Sequence, residues 1–181
     1  MKKYVLLLLL LLLFAGCGQP PRPFVEWPTV NPPLIFRQEN WAVGREGSCV
    51  VATTITLLRW QGHCQLAERF RQKYEGGEYP EKLAAQMEAE GIRYAYTSEK
   101  NDVAFLEWAI RTRRGCGVTI EGGSHMVALV HLDKKWAGLL DDNDVSHYVW
   151  LPRERFLAEW AASTSWAVTP IYDPAAPLPP K

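Results

Sequence analysis

Residues 124–144 read SHMVALVHLDKKWAGLLDDND, and this stretch decides the fold. Met126–Leu132 is a nearly unbroken apolar run, the pattern of a strand buried on both faces. Asp133-Lys134-Lys135 is turn chemistry, and Trp136–Leu140 returns as the paired strand. Folding the hairpin about Lys134-Lys135 brings residues 142–144 opposite His125, to within a residue or two. One carboxylate of the run Asp141-Asp142-Asn143-Asp144 can then reach the imidazole of His125. A histidine that opens the most apolar strand of the chain needs such a partner or a chemical role.

Outward from this hairpin, the periodicities predict helices before and strands after. Ser48 is positioned to cap a helix over Cys49–Trp60, with Val50, Thr54, Leu57 and Leu58 on its apolar face and Gln61-Gly62 at its end. Further helices are predicted at about Gln65–Tyr74, Glu81–Glu90 and Asp102–Arg113, and at Pro152–Ala161 with Pro in the first turn. The remaining strands are predicted at Ile92–Thr97, Gly117–Glu121, Tyr148–Leu151 and Trp166–Tyr172. Helices followed by an antiparallel sheet make an α+β layout.

The chain has 181 residues, 48% of them apolar and 22% charged, a globular composition. Eight Trp imply a large aromatic core or a lined groove. Lys and Arg together equal Asp and Glu at 20 each, so no basic surplus supports nucleic-acid binding by counterion release. The sequence has no internal repeat of solenoid length.

The first residues, MKKYVLLLLLLLLFAGC, carry Lys2 and Lys3, an apolar run from Val5 to Phe14, and small residues before Cys17. This is an export-signal pattern. At about 1.5 Å per residue its roughly 13 apolar residues reach about 20 Å, short of a hydrocarbon core of about 30 Å. The small-small-Cys ending is similar to a bacterial lipoprotein signal, which implies cleavage after residue 16 and a lipid on Cys17. Loss of residues 1–16 removes two Lys and no acid, leaving 18 basic side chains against 20 acidic. Residues 17–33 hold Pro at 20, 21, 23, 28, 32 and 33 and read as a semi-rigid tether. The folded body is expected at 34–172 and a Pro-rich tail at 173–181. The expected location is the exported face of a bacterial envelope membrane.

Two side chains stand out chemically. Cys49 sits in the first turn of its predicted helix, where unpaired N–H groups and the helix dipole favour a thiolate, the nucleophile of acyl transfer. His125 is the candidate base. Of the other histidines, His63 follows a helix end, His131 lies beside a turn in solvent, and His147 precedes a strand in a polar run. With Cys17 lipidated, three cysteines remain. Cys64 and Cys116 are read as separate thiols, with a disulfide the alternative that export permits. A cysteine, a histidine base and an acid that orients it form a hydrolytic set. Asp141, Asp142 and Asn143 all remain open as the third member, because strand parity depends on the turn. The acidic run lacks the spacing of a calcium loop, and no metal or cofactor is expected.

The order of these segments resembles the papain-like cysteine peptidases. Within them it is most similar to the compact bacterial branch that includes the double-glycine leader peptidases of bacteriocin exporters. The carrying segments are Gly47-Ser48-Cys49-Val50-Val51-Ala52, Ser124-His125-Met126-Val127-Ala128-Leu129-Val130 and Leu139-Leu140-Asp141-Asp142-Asn143. Phe156–Trp160 and Trp166–Val168 resemble the closing helix and strand. The resemblance spans about residues 36–172. It implies Cys49 as nucleophile, His125 as general base and then acid, and Asp141 as the orienting acid, sixteen residues after His125. It also implies an oxyanion-hole Gln about half a dozen residues before the cysteine, where this chain has Val43. Gln38 and Asn40 lie further upstream, and the loop Gly44-Arg45-Glu46-Gly47 is long enough to bring Gln38 round. Loss of one oxyanion donor costs about 10²–10³ in rate.

These features lead to a membrane-anchored thiol hydrolase acting on a peptide or protein substrate through its amide bonds. A papain-like lipoprotein that binds peptides without turnover is the second expectation, motivated by the displaced Gln. A purely structural envelope lipoprotein, with an inert Cys49, is the third.

Overall fold

The computed structural model describes residues 27–41, 47–74 and 80–172. The proposed signal, Cys17, Val43 and the tail 173–181 lie outside the described residues. Helix α1 (Cys49–Trp60) matches its expected bounds, because its apolar face is continuous and Gly62, at φ +85°, turns the chain out of the helix. Next come α2 (Cys64–Lys73), α3 (Pro80–Ala89) and strand β1 (Tyr94–Thr97). Helix α4 (Val103–Arg111) starts at Asp102, whose carboxylate accepts from the Phe105 N–H at 3.1 Å. Strands β2 (Cys116–Ile120), β3 (His125–Leu132), β4 (Trp136–Asp141) and β5 (Asp144–Pro152) follow. Helix α5 (Arg153–Ala162) and strand β6 (Ala167–Pro170) close the described fold.

The six strands form one antiparallel sheet in the order β1-β6-β2-β3-β4-β5. The α+β architecture is as expected, with one elaboration. Helices α1–α3 pack on one face of the sheet, and α4 and α5 on the other. Strand β3 shows why its sequence is a continuous apolar run. Val127 and Leu129 enter the cluster built with Leu106, Trp108, Phe156 and Trp160, whereas Met126 joins the one containing Cys49 and Ile55. Helix α5 carries the chain from the β5 edge back to β6, which inserts between β1 and β2.

Three expectations change. Residues 27–33, read as tether, belong to the body: Val30 is fully buried, and its N–H donates to the Val130 carbonyl at 2.9 Å. The apolar side chain of Val30 finds a core site, beside Leu57 and Val145, that a proline count does not reveal. Strand β5 begins at Asp144 rather than Tyr148, because Asp142-Asn143 make a tight turn and Asp141 pairs with Asp144. His131 is not in solvent. Its ring lies between Thr29 Oγ1 at 3.0 Å and Asp133 Oδ2 at 3.1 Å. Cys64 and Cys116 are both free, the first exposed and the second buried, so the disulfide alternative is not formed. Among the described residues, no helix is long and apolar enough to cross a membrane.

Candidate active site

Helix α1 and the β3–β4 hairpin bring the expected groups together. Cys49 is the first residue of α1, and His125 the first residue of β3. Both are largely buried, at 9% and 8% exposure. The Cys49 thiol is close enough to act on the His125 ring, whose Nε2 lies 2.9 Å from Asp141 Oδ1 at the end of β4. Asp141 is half-buried, and its Oδ1 also accepts the Asn143 backbone N–H at 2.9 Å.

The electrostatics follow from this geometry. Burial alone lowers the pKa of His125. The hydrogen bond with Asp141, the nearby Cys49 thiol and the charges of Asp142 and Asp141 outweigh it and push the ring up to about 10. The hydrogen bond with His125 holds the Asp141 carboxyl below its ordinary range, with the Asn143 N–H assisting against burial. The imidazolium is thus favoured across neutral pH. Its contribution to stability is present below the ordinary histidine range near 6.5 and is lost as pH rises towards about 10.

The three candidates for the orienting acid separate in space. Asp141 takes Nε2. Asn143 Nδ2 is 3.3 Å from the same nitrogen, but Nε2 cannot accept from it while donating its proton to Asp141. Asp142 turns inward, 4% exposed, and accepts from Thr53 Oγ1 at 3.2 Å. His125, Asp141 and Asp142 place one ligand-type atom each within 4.8 Å of one another. Two of these groups already form the 2.9 Å imidazole–carboxylate hydrogen bond.

Gln38 is not brought to the thiol. Its backbone N–H donates to Thr56 Oγ1 at 2.9 Å, its side-chain Nε2 donates to the Glu39 carbonyl, and its Oε1 accepts from Arg59 Nη1. Thr56 is about two turns along α1 from Cys49, roughly 10 Å at the helical rise, and Arg59 is further still. Sequence order alone does not disclose that Arg59 captures this amide.

Asn40 has the role that sequence reading missed. Its Oδ1 accepts from the Ser48 N–H at 2.9 Å and from Ser48 Oγ at 2.5 Å. Its Nδ2 donates to Asn143 Oδ1 at 3.0 Å, and its backbone N–H donates to the Asp142 carbonyl at 2.8 Å. Ser48 Oγ also accepts the Trp41 N–H at 2.8 Å. Ser48 is therefore the N-cap by position, but its hydroxyl makes no capping bond to α1. Asn40 instead ties the start of α1 to the turn after Asp141. The only signal in the sequence was an amide side chain upstream of the cysteine. Asn40→Ala is expected to lower unfolding free energy by about 1–3 kcal/mol, because it removes the amide oxygen that accepts from the buried Ser48 N–H and hydroxyl. Urea denaturation checks this, with Asn40→Asp retaining the acceptor as the control.

A groove of about 450 Å³ is lined by Ala84, Glu88, Tyr94, Tyr96, Trp166 and Val168. Trp166 and Val168 also belong to the cluster that packs Cys49.

Comparison with known proteins places the fold. No family model and no curated protein matches the sequence. Two solved structures do match. One is a double glycine motif protease from an AMS/PCAT transporter in complex with the leader peptide, at 14% identity and a TM-score of 0.53. The match covers 83% of this chain and 99% of that one. The other is a protein from Bacillus anthracis described as a C39-like peptidase, at 17% identity and a TM-score of 0.57. It covers 80% of this chain and 96% of the other. The chain shares the papain-like fold of these peptidases.

Proposed function

We propose that this protein is a cysteine peptidase that cleaves a peptide amide bond through Cys49, His125 and Asp141. One observation carries this reading: His125 hydrogen-bonds Asp141 at 2.9 Å and stands near enough to Cys49 for both to help raise its ring to about 10. Asp141 engages Nε2 and leaves Nδ1 for the thiol proton. The thiolate attacks the amide carbonyl, the C–N bond breaks, and the imidazolium protonates the leaving amine. Water, deprotonated by the neutral imidazole, then hydrolyses the thioester and frees Cys49. A peptide substrate is supported by a structural neighbour that holds a leader peptide. The lipoprotein-type segment supports anchoring through a lipid on Cys17, on the exported side of a bacterial membrane.

A second reading, peptide binding without turnover, is favoured by one observation. The amides of Gln38 and Asn40 are both held by neighbours rather than offered beside the thiol.

The deciding experiment is alkylation of full-length protein in detergent across pH, read by peptide mapping. Cys49 is expected to react faster than Cys64 at about pH 6, as a thiol that passes its proton to an adjacent imidazole does. Exposed Cys64 serves as the internal reference, and His125→Ala is expected to abolish the low-pH reaction. If Cys49 reacts no faster than Cys64 at that pH, the peptidase reading falls. Reactivity without cleavage of any peptide in a diverse library would favour the binding reading.

A further inference from the structure

Asp142 is an unusual side chain for a tight surface turn. It is 4% exposed. Its Oδ2 accepts from Thr53 Oγ1 at 3.2 Å, and Thr53 stands one turn after Cys49 on the same face of α1. Its Oδ1 is buried and, among the described residues, has no hydrogen-bond partner. The small space around it is lined by Gln38, Thr53, Thr56, Ala128, Leu140 and Val145, none of them charged. A buried carboxylate in such a lining is costly unless a cation faces it. The facing titratable groups are His125 from β3 and the adjoining Asp141 from β4, with ligand-type atoms all within 4.8 Å. Cys49, the first residue of α1, also acts on the His125 ring. Of the arginines around this space, Arg59 is bound to the Gln38 amide and Arg37 to the Val145 carbonyl and the Tyr148 hydroxyl.

We propose that Asp142 is a second acid of the site, a positioning residue whose carboxylate supplies negative charge beside the imidazolium and so holds the Cys49–His125 ion pair together. This inference rests on the peptidase reading and adds a group that the hydrolytic set does not require. Asp141 orients the ring through Nε2, whereas Asp142 acts on its charge and grips α1 through Thr53. Burial pushes the Asp142 carboxyl up to about 7, against the opposing effects of His125 and Thr53 and with Asp141 adding to the rise. The carboxyl is therefore neutral in mild acid and gains its charge as pH passes through neutrality. That charge then opposes loss of the imidazolium proton on the alkaline side.

The test is an NMR titration of the His125 ring in full-length wild type and Asp142→Asn. The variant keeps the shape and the Thr53 contact but carries no charge. The His125 midpoint is expected to fall by about one pH unit or more, the scale of one charge at this range. An unchanged midpoint in a folded variant makes Asp142 a purely structural residue and overturns the proposal. A carboxyl ¹³C titration of the wild type covers the case in which the variant does not fold. Asp142 should then titrate near neutrality and displace the His125 ring signal as it does so. Ionisation of Asp142 in the ordinary carboxylate range, with no response from His125, also overturns it. If wild-type His125 titrates normally and Cys49 is unreactive, the peptidase reading fails together with this one. Selective Cys49 reactivity with no effect of Asp142 sinks this inference alone.

Discussion

Asp141→Asn is expected to slow peptide cleavage by about 10⁴-fold while leaving the fold intact, the scale seen when an orienting acid becomes an amide. The reason lies in which ring nitrogen carries the proton. Asp141 Oδ1 accepts from Nε2 at 2.9 Å, and an ionised carboxylate can only accept. It therefore keeps the proton on Nε2 and leaves Nδ1 with a lone pair for the thiol proton. An Asn amide can turn its N–H towards Nε2 and favour the tautomer protonated on Nδ1, which cannot act as base. The variant also removes the charge that helps raise the ring. Steady-state cleavage of a peptide found by library screening measures the loss, and circular dichroism checks the fold. A drop of less than about 10-fold would mean that Asp141 does not orient His125 during turnover.

Trp160→Ala is the substitution expected to harm the fold most. Trp160 is fully buried on α5, among Phe156, Trp108 and Leu106. Its indole N–H donates to the Trp166 carbonyl at 3.0 Å. Truncation leaves a large cavity between α5 and the sheet, at a cost of about 3–5 kcal/mol. The Trp166 carbonyl keeps a second donor, the Thr119 N–H at 3.2 Å, so the cost is mainly packing. Domains of this kind are stable by about 5–15 kcal/mol, so the variant would lose much of its margin. Urea denaturation measures it, and Trp160→Phe should recover most of the loss. A cost below about 1 kcal/mol would show that α5 is not integral to the core.

Local pattern made much of this visible in advance. Helix α1 was legible because apolar positions recur at helical spacing from Val50 to Leu58 and Gly62 ends the run. Strand β3 was legible because burial on both faces removes polar residues from the whole segment. The hairpin at Asp133–Lys135 was legible from its turn residues, and strand counting placed residues 142–144 opposite His125, one residue past the Asp141 that meets the ring. Position alone made Ser48 look like a capping side chain. Its hydroxyl turns instead to Asn40 and Trp41, which arrive from a preceding segment.

By itself, then, the sequence determined the α+β class, the helix that carries Cys49 and the strand that carries His125. These depend on periodicity and turn residues, which act over a few positions. Only the tertiary structure decided that Arg59 draws the Gln38 amide away from the thiol and that Val30 belongs to the core. It also decided that, of three adjacent polar residues, Asp141 meets the ring while Asp142 turns inward to Thr53. Each of those outcomes depends on contacts between segments far apart in the chain. Side-chain direction within a two-residue turn is set by the space and charge that those segments bring.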